Sequence, residues 1–316
     1  MSAPPQAPET TAGFASGRRR FGDSIFAGLS LSAGVTILVT LFLVAAFLLW
    51  QALPAITAAP EDVRGGQGLV HYISPLLFGT IVSAAIALLV GAPLAIGIAL
   101  FISHYAPRKL ASLLGYIIDL LAAVPSVIFG LWGFYVFGPA LMPTQEGLIE
   151  YLGFIPLFGG PASPMSMLVT GLVLAIMILP IMTAVNREVF LQTPRLHEEA
   201  SLALGATRWE MIQQAVIPFA KSGIISGAML GLGRALGETM AVAIILSASA
   251  RFTPVITSSA NPGTIAGDIA NQFPESSGLD VNTLIMSGLV LFFLTLLVNM
   301  FARWIVSRRS EFSGAN

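Results

Sequence analysis

"SGIISGAMLGLGRALGETMAVAIILSAS" (residues 222–249) is long and apolar enough to cross a bilayer, yet it holds an arginine and a glutamate one helical turn apart, Arg234 and Glu238. A helix in hydrocarbon needs roughly 20 mainly apolar residues, which this stretch supplies. On an insertion scale its nine Leu, Ile and Val return about 3 to 5 kcal/mol, while two mid-span charges cost about 5 to 7. The segment is therefore marginal alone and needs neighbours, pairing or a wet cavity. On a helical wheel Gly223, Gly227, Gly231, Arg234 and Glu238 fall within an arc of about 80°. Glycines at that spacing let another helix approach closely, so this face looks at protein and not at lipid. Two readings stand open. Either the pair lines a transport pathway, or it is a buried ion pair that fixes helix register.

The rest of the chain supports a membrane setting. Of 316 residues, 55% are apolar and 10% charged, with a mean hydropathy of +0.84, whereas a water-soluble surface needs roughly a quarter or more charged positions. Residues 25–50, 73–102, 113–137, 165–185 and 281–306 read as further spans. With 222–249 they predict an all-α membrane protein of six transmembrane helices. Pro75, Pro93, Pro125 and Pro180 are expected to kink the spans that hold them. Residues 1–20 are rich in Pro, Ala, Ser and Thr and predict a disordered cytoplasmic tail. The run 25–50 is far longer than a signal h-region of about 7 to 15 residues and reads as a retained first span. A net charge of -1 says nothing about partners. The absence of cysteine excludes disulfides, thiolate metal sites and a cysteine nucleophile.

Cytoplasmic segments hold the excess of Lys and Arg. Arg18, Arg19, Arg20, Arg108, Lys109, Arg187, Arg195, Arg208, Lys221, Arg303, Arg308 and Arg309 fall on one side, and Arg64 and Arg251 on the other. Both termini are therefore expected to be cytoplasmic, with Arg234 the one cation inside a span. The long outer loops, 138–164 and 250–280, either dock an external partner or are solvated connectors.

Between spans four and five lies "TPRLHEEASLALGATRWEMIQQAVIP" (residues 193–218). Pro194 suits a first helical position after Thr193, Gly205 a left-handed helix stop, and Thr207 with Glu210 a capping box. The segment reads as helix, sharp turn, helix. Its apolar positions Ala200, Leu202, Ala203 and Leu204 need a surface, either on a separate protein or on the chain's own helices.

Span three carries a second small-residue stripe, Gly115, Asp119, Ala122, Ser126, Gly130 and Gly133, of which Asp119 and Ser126 read as structural or gating. Nucleotide chemistry has no support. Neither lysine, Lys109 or Lys221, ends a phosphate-binding loop, and "GLGRALG" lies in a span and not after a strand. His71, His104 and His197 are far apart in the sequence and are placed in loops, so no metal site is read.

"EEASLALGATRWEMIQQAVIP" resembles the EAA loop of ABC-importer permeases. Glu199, Ala200, Gly205 and Pro218 keep its residues and spacing, while Ser201, Ala215 and Ile217 are substitutions. "GRALGETMAV" (residues 233–242) together with "DLLAAVPSVIFGLWG" (residues 119–133) is similar to the PstC-type permeases of bacterial high-affinity phosphate ABC importers. The resemblance implies a type I ABC-importer permease fold over residues 21–310, in the bacterial inner membrane, with 193–218 as the loop that couples to an ATPase through Glu199, Ala200, Gly205, Ile217 and Pro218. It implies that Arg234 and Glu238, with Gly237 and Thr239, pass phosphate. It also implies a transport subunit without catalysis or a bound cofactor, ATP being used by the partner ATPase. The implied partners are a homologous PstA-type permease, two copies of the ATPase and an extracytoplasmic phosphate-binding protein, with no nucleic acid. Two other readings are a permease for sulfate or molybdate and a gradient-driven secondary transporter, against which the organised loop counts.

Overall fold

The computed structural model describes residues 21–246 and 252–307, which fold as helices with no strand among them. The expected tail 1–20, Arg251, Arg308, Arg309 and the last residues of the fifth apolar run lie outside the described residues. Among the described residues six helices are long and apolar enough to cross a membrane: Ile25–Thr57, Leu69–Tyr105, Ser126–Leu152, Met167–Leu191, Arg208–Leu236 and Leu279–Ile305. The described residues divide after Trp50 into two units. The described part of the first belongs to α1 (Phe21–Thr57), whose last residues belong to the second.

In the second unit, α6 (Met167–Leu191) packs on both α2 (Leu69–Leu100) and α9 (Ile217–Leu236). Glycine makes both approaches close. A Cβ on Gly171 would lie 2.6 Å from Ile86, and one on Gly91 would lie 3.1 Å from Ile178. On α9, Gly223 abuts Val189, Gly227 is 3.0 Å from Asn186 Oδ1 and Gly231 is 2.6 Å from Met182 Sδ, each measured from an added Cβ. The expected glycine stripe is thus a packing face. Ala84, Ala87, Leu174, Ile178, Met182 and Ala235 fill the core between these helices. Pro75, Pro93 and Pro180 lie inside unbroken helices, tolerated because packed neighbours and not water surround the freed carbonyls.

Prolines leave a different mark elsewhere. The π turns Phe101–Tyr105, Gly133–Phe137 and Ile212–Val216 end two residues before Pro107, Pro139 and Pro218. A proline ring in a helix clashes with the carbonyl four residues upstream, which for Pro139 and Pro218 falls inside the wide turn, whereas before Pro107 the helix ends at an extended Ala106. The π turn before Pro218 therefore lets α8 (Arg208–Met211) run on into α9, so the second helix of the 193–218 segment does not end at Pro218 but opens span five.

Span three differs from the expected 113–137. α3 (Arg108–Ala122) stops before Pro125, whose ψ of 138° is extended, and α4 (Ser126–Trp132) continues through a π turn into α5 (Gly138–Leu152). Proline disfavours a helical residue before it, which is the reason for the break. The apolar crossing is shifted to Ser126–Leu152, and the first half of the expected loop 138–164 is helix.

Nor is the segment after span five a solvated connector. Ile256, Thr257, Ser258, Asn261 and Thr264 are buried. Its backbone is held by Leu168 N–H donating to the Ile256 carbonyl (2.8 Å), by Ser163 N–H donating to the Thr257 carbonyl (3.1 Å), and by Ile265 N–H donating to Thr80 Oγ1 (3.0 Å). The Gly263 carbonyl sits where a side chain on Gly79 would stand. Thr264 then caps α11 (Ile265–Gln272), accepting from Gly267 N–H at 3.2 Å, before α12 (Leu279–Ser307). Tyr72 donates to Asp268, and Arg64 donates to Gln272 and Ser276.

Gly79→Ala should overlap the Gly263 carbonyl and destabilise the detergent-solubilised protein by about 1 to 3 kcal/mol. Gly97→Ala, with nothing within 4 Å of its added Cβ, should stabilise α2 by up to about 1 kcal/mol. Thermal melts of the two variants against wild type check this pair.

Burial holds the Asp268 carboxyl above its ordinary range, against the opposing pull of Tyr72 and Arg64. The folded state therefore binds that proton more tightly, and its contribution is full below the ordinary carboxylate pKa of about 3.9 and falls as pH rises above it. Asp268→Asn, neutral at every pH, should flatten this slope in pH-dependent melts; an unchanged slope would contradict it.

Candidate functional site

α9 ends at Leu236, so Arg234 lies in its last turn and not at the middle of a continuous span. Gly237 N–H donates to the Gly233 carbonyl at 3.2 Å, Thr239 Oγ1 donates to the Gly237 carbonyl at 3.2 Å, and a new helix, α10 (Met240–Ile245), begins. Glu238 stands between the two helices. Its Oε1 accepts the backbone N–H of Ala241 at 3.1 Å, so the carboxylate satisfies one of the donors a helix leaves open at its start. Two expectations are corrected together. Residues 222–249 are not one helix, and Glu238 no longer shares an arc with the glycines and Arg234. Glycine at 237 and a carboxylate drawn to free N–H groups supply the reason.

The two opening charges do not meet. Among the described residues the one acid–base contact within 4 Å is His104–Glu198, and the guanidinium of half-buried Arg234 has no hydrogen-bond partner. The glycines beside it differ from those of the packing stripe. A Cβ on Gly233 would meet nothing within 4 Å, and one on Gly237 only the Gly233 carbonyl at 3.4 Å. Both are exposed. Neither this chain's packing nor a left-handed backbone requires glycine there.

Short helices after the two breaks lie side by side. α10 packs on α4, where an added Cβ on Gly130 would stand 2.8 Å from Ala241 Cα, and Gly133 packs against Ile245 and Val173. Ser126, the half-buried first residue of α4, lies one turn from Gly130, just as Glu238 lies three residues from Ala241. The small-residue stripe expected on span three is divided by the break. Gly115 packs against the Arg187 guanidinium and Gly130 and Gly133 against α10 and α6, while Asp119 and Ala122 on α3 are exposed.

The 193–218 segment turns as expected. α7 (Arg195–Ala203) is followed by Gly205 at φ +90°, a backbone that side chains rarely adopt, and then by α8, opened by the Thr207–Glu210 capping box. Pro194 is the N-cap of α7 and not its first residue. No residue of α7 is buried. Glu199, Ala200, Gly205 and Pro218 are exposed and Ile217 half-buried. Leu204 is 91% exposed, Leu196 75% and Trp209 52%, so the chain's own helices do not cover this apolar face. Beside it opens a groove of about 350 Å³, lined by His197, Ala200, Leu204 and Phe219 among others.

The histidines are not in loops. His71 is in α2, His104 in a π turn and His197 in α7, and no group of three or more metal-ligating side chains occurs among the described residues. Sequence reasoning missed the His104–Glu198 pair, whose members lie in different elements with no local pattern to join them.

A family model described as "Binding-protein-dependent transport system inner membrane component" matches residues 91–311. The Mycobacterium tuberculosis phosphate transport system permease protein PstC 2 is 43% identical over 298 residues, covering 90% of this chain and 91% of that one. PstC of Mycobacterium leprae is 45% identical over 279 residues (84% and 87%), and PstC of Mesorhizobium japonicum is 37% identical over 310 (94% of each). Among solved structures, a bacterial ABC transporter involved in the import of the acidic polysaccharide alginate superposes with a TM-score of 0.60 at 15% identity, covering 92% of this chain and 97% of that one. That likeness speaks for the fold alone: the bundle described above is an ABC-importer permease fold. With a family model over most of its length and relatives above 30% identity end to end, the chain belongs to the inner-membrane components of binding-protein-dependent transport systems, in the PstC permease family.

Proposed function

We propose that this chain is the permease subunit of an ATP-driven phosphate importer, and that Arg234 meets phosphate as it passes. The observation that carries the reading is the uncompensated Arg234 guanidinium at the break of span five. A planar guanidinium forks onto two phosphate oxygens, and such charge-assisted pairs are about twice as strong as neutral hydrogen bonds. Gly233 and Gly237 leave the space beside it empty of this chain's side chains. Gly237 and Thr239 set the break, and Glu238 is engaged by α10 and not by Arg234. Asp119 and Ser126, on either side of the break in span three, are proposed as gating positions.

The remaining face of the path belongs to a homologous PstA-type permease. Two copies of an ATPase drive the cycle, one of them on α7 and the turn at Gly205, whose exposed Leu196, Leu204 and Trp209 suit an apolar groove on that partner. Glu199, Ala200, Ile217 and Pro218 complete this coupling surface. ATP is used there and not by this chain. An extracytoplasmic phosphate-binding protein delivers the anion, and both termini face the cytoplasm, on the ATPase side. Phosphate as cargo follows from what the relatives' names say they carry.

If Arg234 served only to balance Glu238, the double variant Arg234→Gln/Glu238→Gln would remove both charges and regain much of what either single change loses. The proposal expects assembled complex, intact ATPase association and very little phosphate uptake in Arg234→Gln and in the double variant alike. Near-normal uptake by the double variant at matched membrane levels would falsify the pathway role, and uptake of sulfate or molybdate in place of phosphate by the wild type would reassign the cargo.

Gly205→Val places a β-branched residue at φ +90°, at a cost of about 1 to 2 kcal/mol or a reorganised turn. The variant should reach the membrane, lose ATPase co-purification and take up little phosphate. Full ATPase association with normal uptake would remove α7 from the coupling role.

A further inference from the structure

The coupling helix has covalent routes to two spans: α7 joins α6 through Gln192–Pro194 and leads through Gly205 and α8 into α9. Its link to span two is of another kind. Span two ends in the π turn Phe101–Tyr105, which swings His104 out of the ordinary helical register. The His104 side chain is only 9% exposed, and its Nε2 lies 3.6 Å from Glu198 Oε1 on α7, itself 23% exposed. The other ring nitrogen is also held. Ser103 Oγ lies 2.7 Å from His104 Nδ1 and 2.8 Å from the Ala99 carbonyl, so the ring is held on that side as well.

Apolar packing does not do this work. Ala99, Leu100, Phe190, Met211, Ile212 and Val216 form one buried cluster that fixes the ends of α2, α6 and α8 to each other, but no residue of α7 enters it. α7 is otherwise held sideways by a long Ser201–Gln214 contact of 3.5 Å. The His104–Glu198 contact, with both members mostly shielded from solvent, is the stronger hold, because low surrounding polarity strengthens electrostatic attraction.

We propose that His104 and Glu198 are positioning residues: their pair makes α7 and the adjacent end of span two move as one body, so that a displacement of α7 reaches span two as well as spans four and five. The inference rests on the reading of α7 as the ATPase-docking helix. It assigns to the pair the ratio of phosphate moved to ATP hydrolysed, and not the docking itself.

The test uses the whole importer, this chain with its companion permease, ATPase and binding protein, in proteoliposomes loaded with ATP. His104→Gln and Glu198→Gln should leave assembly intact and ATP hydrolysis within about twofold, while phosphate moved per ATP falls about fivefold, the low end of typical coupling between sites. Glu198 also lies in the first turn of α7, where a carboxylate stabilises the helix; His104→Gln isolates the tie from that effect. His104→Lys, which sets a cation opposite Glu198, and the reversed pair His104→Glu/Glu198→Lys should recover most of the ratio, which a general packing defect would not. Wild-type phosphate per ATP in both single variants overturns the tie and leaves the docking reading standing. A wild-type chain that associates with no ATPase overturns both.

Because this chain has no cysteine, the pair can also be joined directly. His104→Cys/Glu198→Cys linked by a short bismaleimide should transport phosphate at the unlinked wild-type ratio. A linked importer that still hydrolyses ATP but moves no phosphate would mean that the two residues must separate during the cycle, and the proposal would be wrong.

Discussion

Close approach of α6 to α2 and α9 across glycine is the contact on which the larger unit depends. Between helices in lipid there is no hydrophobic driving force, because the solvent is as apolar as the side chains. Dispersion contacts at short range take its place, and they require backbones to come near. Gly171 and Gly91 admit Ile86 and Ile178, and Gly223, Gly227 and Gly231 admit Val189, Asn186 and Met182. Once α6 is seated, the core of alanine, leucine and isoleucine closes around it. The same contact determines where polar backbone is permitted. Residues 261–268 lie buried because Gly79 and Thr80 on α2 leave room for the Gly263 carbonyl and accept the Ile265 N–H.

Interruptions of the helices follow from the rule that buried backbone donors and acceptors must find partners. The π turns before Pro139 and Pro218 widen the ladder where the ring would strike a carbonyl. At Pro125 the chain breaks outright, and at Gly237–Thr239 it breaks without a proline. There the exposed donors of α10 are met by Glu238. Because α4 and α10 pack together over Gly130, the two interruptions lie at the start of one helix pair, which brings Ser126 and Glu238 to the same end by backbone architecture and not by side-chain pairing.

Much of this was legible in the sequence because it depends on local chemistry. Apolar length counted six spans, Gly205 announced a left-handed turn, and Thr207 with Glu210 announced the capping box that the structure contains. The glycine stripe on α9 was legible from spacing alone. The breaks were less so: a kink was expected at Pro125 but not an end to the helix, and nothing was expected at Gly237, because a hydropathy window averages across "LGETM" and "AAVPS" as though the apolar run were continuous. Half-span shifts such as 113–137 to Ser126–Leu152 have the same origin. Burial of the segment after span five depends on residues 185 positions away, as in the Thr80–Ile265 bond, and its polar, Gly- and Pro-containing composition reads locally as solvent-exposed. The His104–Glu198 pair was illegible for a like reason: a π turn aims the ring, and no spacing rule describes a π turn.

Whether Arg234 and Glu238 pair is decided by competition for the carboxylate. In a continuous helix the two would stand at i and i+4, a spacing at which opposite charges meet. Breaking the helix at Gly237 offers Glu238 a backbone N–H at the start of α10, which would otherwise go without a partner in surroundings where an unmet donor costs about 1 to 3 kcal/mol. The carboxylate takes that donor and leaves the guanidinium half-buried with its fork free. An isolated cation in such a place is costly unless an anion or water attends it. Under the transport reading, that cost is what a passing phosphate relieves, and the broken helix is what keeps the protein's own carboxylate from relieving it first.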